Sequence, residues 1–181
     1  MSTLICNFFG GPGISKSTSA AYVFSALKRK HVKCELVFEL PKELVYENNL
    51  EKLKCQPVIF GEQLWRIERL LNKVDLIITD SPIILSMVYN GNQYPPSFNL
   101  CVLDIFNRMN NINYLLERNK PYFQYGRSQS EQEARQIDER IYETLTRYNI
   151  LFAKMPPSEE NLDWIVNDLI SRIQEQRSFK E

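Results

Sequence analysis

The chain has 181 residues, and its 22 Lys plus Arg balance 22 Asp plus Glu, so it carries no net charge. Hydrophobic residues make up 44% and charged residues 24%, the balance of a globular chain long enough for one domain with its own core. The missing basic excess argues against a dedicated nucleic-acid binder. No apolar run approaches the roughly 18 residues of a membrane span.

The elements alternate from the start. A first strand is predicted over Thr3 to Phe9. Gly10-Gly11-Pro12-Gly13-Ile14-Ser15-Lys16-Ser17-Thr18 follows, and then a helix over about Lys16 to Lys30. Strand, glycine-rich loop and helix in this order make a phosphate cradle: successive backbone N–H groups turn inward, and the helix adds its positive end. The spacing asks for Gly, four residues, Gly-Lys and Ser or Thr. Gly10, Lys16 and Ser17 fit, while Ser15 stands where the second glycine belongs. In a left-handed conformation that serine would cost on the order of 1–2 kcal/mol. Gly11, Pro12, Gly13, Ile14, Ser15, Lys16, Ser17 and Thr18 are the expected nucleotide-binding residues. Lys16 would reach the β- and γ-phosphates, and the Ser17 hydroxyl would bind Mg²⁺.

The single histidine, His31, follows Lys28-Arg29-Lys30 and is expected at the solvent-facing end of the first helix. A general base is therefore expected to be a carboxylate, and Ser-His-Asp chemistry is excluded. A second strand is predicted over Lys33 to Glu39, just before Pro41. Its terminal Glu39 is a candidate base or ligand of a substrate hydroxyl. Residues 42–55 are mixed, and a helix is expected over about Pro57 to Asn72. Gln63, Trp65 and Arg66 on it, with Tyr89, could stack on and hydrogen-bond a base. A third strand, Val74 to Thr79, ends at Asp80, placed to hold Mg²⁺ or to take a proton.

A helix is predicted from Pro82 to about Tyr89, a loop over 90–97, a helix over about Phe98 to Asn110 and a fourth strand over Asn113 to Leu116. Residues 118–130 are polar, aromatic and basic. With Arg118, Lys120 and Arg127 they suit a lid that closes over phosphate. Arg127 is the preferred catalytic arginine and Arg135 the second candidate. Ser130 to Glu133 reads as a capping box for a helix over Glu131 to Tyr148. A fifth strand, Asn149 to Ala153, and a helix over about Glu160 to Gln176 complete the chain. Near-continuous apolar strands between helices predict a five-stranded parallel α/β sandwich, one unit over 1–177 with a frayed tail at 178–181.

Four cysteines (Cys6, Cys34, Cys55 and Cys101) show no CxxC spacing and no partner histidines, which excludes a zinc site by pattern. Cys6 and Cys34 fall in apolar runs and are expected in the core of a cytoplasmic protein.

With these residues placed, the chain resembles a P-loop kinase of the nucleoside and nucleotide kinase-like superfamily. It is similar to small phage-encoded AAA-type ATPase/kinase proteins and to the kinase domain of bifunctional nicotinamide-nucleotide regulators. The resemblance spans residue 3 to about 175. It rests on the loop at 10–18, on Ile78-Thr79-Asp80-Ser81-Pro82, and on Tyr125-Gly126-Arg127-Ser128-Gln129 followed by Glu131, Glu133-Ala134 and Ile137-Asp138. It implies ATP- and Mg²⁺-dependent phosphoryl transfer to a nucleoside or nucleoside monophosphate, with a homodimer left open. The family's loop Lys and Ser/Thr map to Lys16 and Ser17, its strand-three acid to Asp80 and its lid arginine to Arg127. Glu39-Leu40-Pro41 is similar to the Glu-Pro element of deoxynucleoside kinases, in which Glu is the base, with one leucine intervening here. A regulatory or assembly ATPase and a polynucleotide end kinase are the alternatives.

Overall fold

The structure is a computed structural model, and it describes residues 2–119, 122 and 130–178. Among them, five strands form one parallel sheet: β1 (Leu4–Phe9), β2 (Cys34–Val37), β3 (Leu76–Thr79), β4 (Asn110–Leu116) and β5 (Ala153–Met155). Their spatial order is β2-β3-β1-β4-β5. The helices are α1 (Lys16–Arg29), α2 (Leu40–Tyr46), α3 (Leu50–Lys54), α4 (Gln56–Glu68), α5 (Leu85–Asn90), α6 (Pro96–Asn107), α7 (Glu131–Arg147) and α8 (Glu159–Ser178). This is the α/β sandwich expected, with helices on both faces.

Central β1 explains the two cores. All six of its residues are buried, because helices cover both faces of the sheet. Its side chains alternate between those faces. Leu4, Cys6 and Phe8 join the cluster built with α1 and α8, through Val23, Leu27, Leu162, Ile165 and Leu169. Ile5 and Phe9 join the opposite cluster, built with α4, α5, α6 and α7. Helix α7 offers Ala134, Ile137, Ile141 and Leu145 to that face at three- and four-residue spacing. Its start is fixed by the predicted capping box: Ser130 Oγ accepts from the Glu133 N–H, and Glu133 reaches back to the Ser130 N–H. Cys6 and Cys34 are fully buried.

Element ends moved where helix caps compete with strands. Strand five was expected at 149–153 but pairs only over 153–155, against Tyr114 to Leu116. Asn149 takes φ 53°, its N–H bonds to the Thr146 carbonyl, and the Ile150 N–H bonds to Leu145. This left-handed termination of α7 uses the residues that looked like strand. His31 does the same for α1: it is exposed at φ 59°, its N–H bonds Lys28, and the Val32 N–H bonds Leu27. Strand β2 stops at Val37, and Glu39 is instead the residue that starts α2. Helix α4 ends at Glu68 because residues 69–72 tighten into turns that finish with Asn72 at φ 61°.

Candidate active site

Parallel pairing puts every strand's carboxyl end on one edge. β1 pairs with β3 on one side and with β4 on the other. The loop after β1 therefore lies between Asp80, directly after β3, and Arg118, two residues beyond β4. β2 flanks β3 and delivers Glu39 to the same edge. This is the crevice in which open α/β sheets bind ligands.

The loop has the bends of a phosphate cradle. Gly10 has φ 143°, and a Cβ there would come within 2.5 Å of Ile14 Cγ2. Gly13 has φ 80°, and its missing Cβ leaves room for the Tyr122 ring, which would otherwise be 2.8 Å away. Ser15 sits at φ 72°, ψ 21° in the N-cap position of α1, where its side chain makes no capping bond. The left-handed conformation that glycine would supply is thus kept by a serine at some strain. Ser15→Gly should relieve about 1 kcal/mol once glycine's larger unfolded-chain entropy is subtracted. The expected rise in melting temperature is about 2–4 °C for a chain of this size, with ATP affinity unchanged. An unchanged or lower melting temperature would show that the loop carries no such strain. The first N–H groups of α1 have no intrahelical partners and no acidic side chain stands in the first turn, so the helix end remains positive.

Lys16 folds back on the loop, its Nζ donating to the Gly11 carbonyl at 3.0 Å. Burial lowers its pKa. The negative charges of Glu39, Asp80 and Asp138 pull it back up, and Arg118 pushes it down. Three carboxylates thus favour the charged form of one ammonium. Asp80 is fully buried, and neither of its carboxylate oxygens has a hydrogen-bond partner. A buried carboxylate without donors is costly on its own, and it suits a divalent cation held through water. No group of three or more His, Cys, Asp or Glu side chains able to hold a metal occurs among the described residues. Asp80 and the Ser17 hydroxyl are the groups that could hold Mg²⁺ beside nucleotide phosphates, whose oxygens would complete its shell.

A second network braces the loop from the far side. Asp138 of α7 accepts from the Gly11 N–H at 2.6 Å through Oδ1. Its Oδ2 takes the Arg118 Nε at 3.0 Å and Nη2 at 2.9 Å. Arg118 Nη2 also donates to the Pro12 carbonyl at 2.9 Å, and the Tyr122 ring lies 5.7 Å from the guanidinium carbon. The sequence motif included Asp138 but gave it no role. Its signal was Ala134 one turn earlier, a small residue where the helix backbone meets the loop.

The other candidates scatter. Arg127 lies outside the described residues, as does most of the predicted lid. Arg135 is exposed and pairs with Glu131 at 2.7 Å along α7. Gln63 turns inward, its Nε2 3.4 Å from Thr79 Oγ1, whereas Arg66 pairs with Glu43 at 2.7 Å and Trp65 is 63% exposed. These three do not form one base-binding face. Tyr89 does reach an open cleft of about 610 Å³, lined also by Gln136, Ile137, Glu139, Arg140 and Glu143. Burial raises the pKa of its hydroxyl, with the charge of Glu39 adding to the rise.

Residues 5–161 match the sequence profile of the AAA domain family. The chain belongs to that family. Two structures of a deoxyadenosine kinase from M. mycoides share its fold. The one with bound dATP has 17% identity and a TM-score of 0.57, over 91% of this chain and 98% of the other. The one with the products dCMP and a flexible dCDP has 18% identity and a TM-score of 0.58, over 93% and 100%. The fold is that of P-loop nucleotide kinase-like proteins. No curated protein sequence matches the chain. Among the described residues, no helix is long and apolar enough to cross a membrane.

Proposed function

We propose that the protein is a kinase that transfers the γ-phosphoryl group of ATP to a hydroxyl of a nucleoside or nucleoside monophosphate. The carrying observation is the strand pairing that brings Lys16, Asp80 and Glu39 to the edge where the phosphate loop opens, where the charges of Asp80 and Glu39 act on Lys16. In this reading the backbone N–H groups of residues 13–18 and the α1 terminus hold the β- and γ-phosphates. Lys16 neutralises the charge that spreads over the transferred group. Bound Mg²⁺ would supply further neutralisation and orient the phosphates. Ser17 and Asp80 orient it, and Glu39 takes the proton from the attacking hydroxyl. The cleft beside Tyr89 receives the acceptor, and residues 118–131 close over it, with Arg127 the lid cation. The resemblance of the fold to deoxyadenosine kinase supports a nucleoside-like acceptor.

A nucleotide-binding regulator without an acceptor draws support from Ser15, the one departure from the loop pattern. The base assignment is tested within the kinase reading. Glu39→Gln should lower phosphoryl transfer by about 10²-fold or more, the usual contribution of a general base, while ATP affinity holds. Steady-state rates with titrated ATP measure both. Unchanged transfer would remove Glu39 from the chemistry and leave Asp80 as the base.

A further inference from the structure

We infer that Asp138, with Arg118 as its counter-ion, is a positioning residue that sets Lys16 through the backbone of Gly11. The inference rests on the phosphoryl-transfer reading and adds to it a connection between the loop and helix α7. Gly11 is held at both of its backbone polar groups. Its N–H donates to Asp138 Oδ1 at 2.6 Å, and its carbonyl accepts from Lys16 Nζ at 3.0 Å. The next peptide is held as well, because the Pro12 carbonyl accepts from Arg118 at 2.9 Å.

The geometry leaves the loop little freedom here. A Cβ on Gly11 would lie 2.6 Å from Asp138 Oδ1 and 2.7 Å from the Ala134 carbonyl, so backbone and carboxylate together fill the space. Arg118 is almost wholly buried, its side chain 7% exposed. It touches Asp138 with two nitrogens, an arrangement that fixes orientation as well as charge. Arg118 lies two residues beyond β4, and Asp138 lies on α7. The pair ties the end of β4 and α7 to each other and to the residue that holds Lys16.

A purely structural ion pair would also destabilise the protein when broken, so stability alone is no test. The discriminating experiment is a double-mutant cycle on ATP binding, with Asp138→Asn and Lys16→Ala alone and together. Mg²⁺ and ATP are titrated by calorimetry into each protein, and each is melted by circular dichroism. Asp138→Asn is expected to weaken ATP binding about tenfold when Lys16 is present and less than about twofold when it is absent, a coupling of ordinary size for residues joined in one network. Asp168→Asn, which removes from α8 the carboxylate charge that pairs with Arg172 and accepts from Tyr114, is expected to lower the melting temperature and leave ATP affinity unchanged.

Equal fold-changes in the two backgrounds, or no change in either, would overturn the inference. If Asp138→Asn loses its cooperative melt, Asp138→Glu completes the same cycle. It keeps the charge beside Arg118, but its extra methylene displaces the oxygen that meets Gly11. Wild-type protein that binds no ATP would overturn the kinase reading and this inference with it. Wild-type binding with no loss on Asp138→Asn would overturn this inference alone.

Discussion

Lys16→Ala is expected to lower ATP-dependent phosphoryl transfer by about 10²–10³-fold, the effect of removing one preorganised group aimed at developing charge. The ammonium is poised in the apo loop, bonded to the Gly11 carbonyl and surrounded by the charges of Glu39, Asp80 and Asp138. Lys16 belongs to neither large hydrophobic cluster, so the cooperative melt should survive the change. Quenched-flow or steady-state transfer rates, read beside a thermal melt, separate lost chemistry from lost fold. Transfer at the wild-type rate in a folded Lys16→Ala protein would remove the loop from the reaction.

Asp80→Asn is expected to act in opposite directions on activity and on stability. Transfer should fall by about 10²-fold or more, because the acid that would orient the cation is gone. The metal-free protein should instead be about 1 kcal/mol more stable, since a buried carboxylate with no hydrogen-bond donor gives way to a neutral amide. The sign of the accompanying pH change follows from Lys16. The charge of Asp80 raises the lysine's pKa against the lowering by burial, so its removal lets that pKa fall. The ammonium is then lost at lower pH, and the alkaline limb of ATP affinity should move down the pH scale. A stability loss in metal-free buffer, or an alkaline limb that stays in place, would contradict this account of Asp80.

The sequence made the loop legible because its chemistry is local: the glycines, Lys16 and Ser17 must be near neighbours for one backbone turn to present them. The same holds for the capping box at Ser130 and Glu133. Buried parallel strands were legible for a different reason, since helices on both faces demand unbroken apolar runs such as Leu4 to Phe9. What could not be read was strand order. Nothing in the chain says that β3 lies against β1, yet that neighbour relation brings Asp80 to the loop.

Long-range polar contacts were hidden likewise. Asp138 lies 127 positions from Gly11, and a single acidic residue on an amphipathic helix looks like solvated surface until the fold closes. Strand five was misplaced because Ile150 to Ala153 form an apolar run, while Asn149 and Ile150 serve to end α7. The proposed base grouping of Gln63, Trp65 and Arg66 failed for a related reason. Residues close on a helix need not share a face, and Arg66 finds Glu43 instead of the cleft.

The central claim is phosphoryl transfer to a small acceptor, and one measurement tests it most directly. Purified protein is incubated with ATP, Mg²⁺ and a panel of nucleosides, nucleoside monophosphates and nicotinamide riboside, and the products are read by mass spectrometry. The account predicts an acceptor that gains one phosphoryl group, with ADP formed in equal amount and both formed about 10²–10³-fold more slowly with Lys16→Ala. ATP bound tightly with no phosphorylated acceptor anywhere in the panel would contradict it and favour a nucleotide-binding regulator.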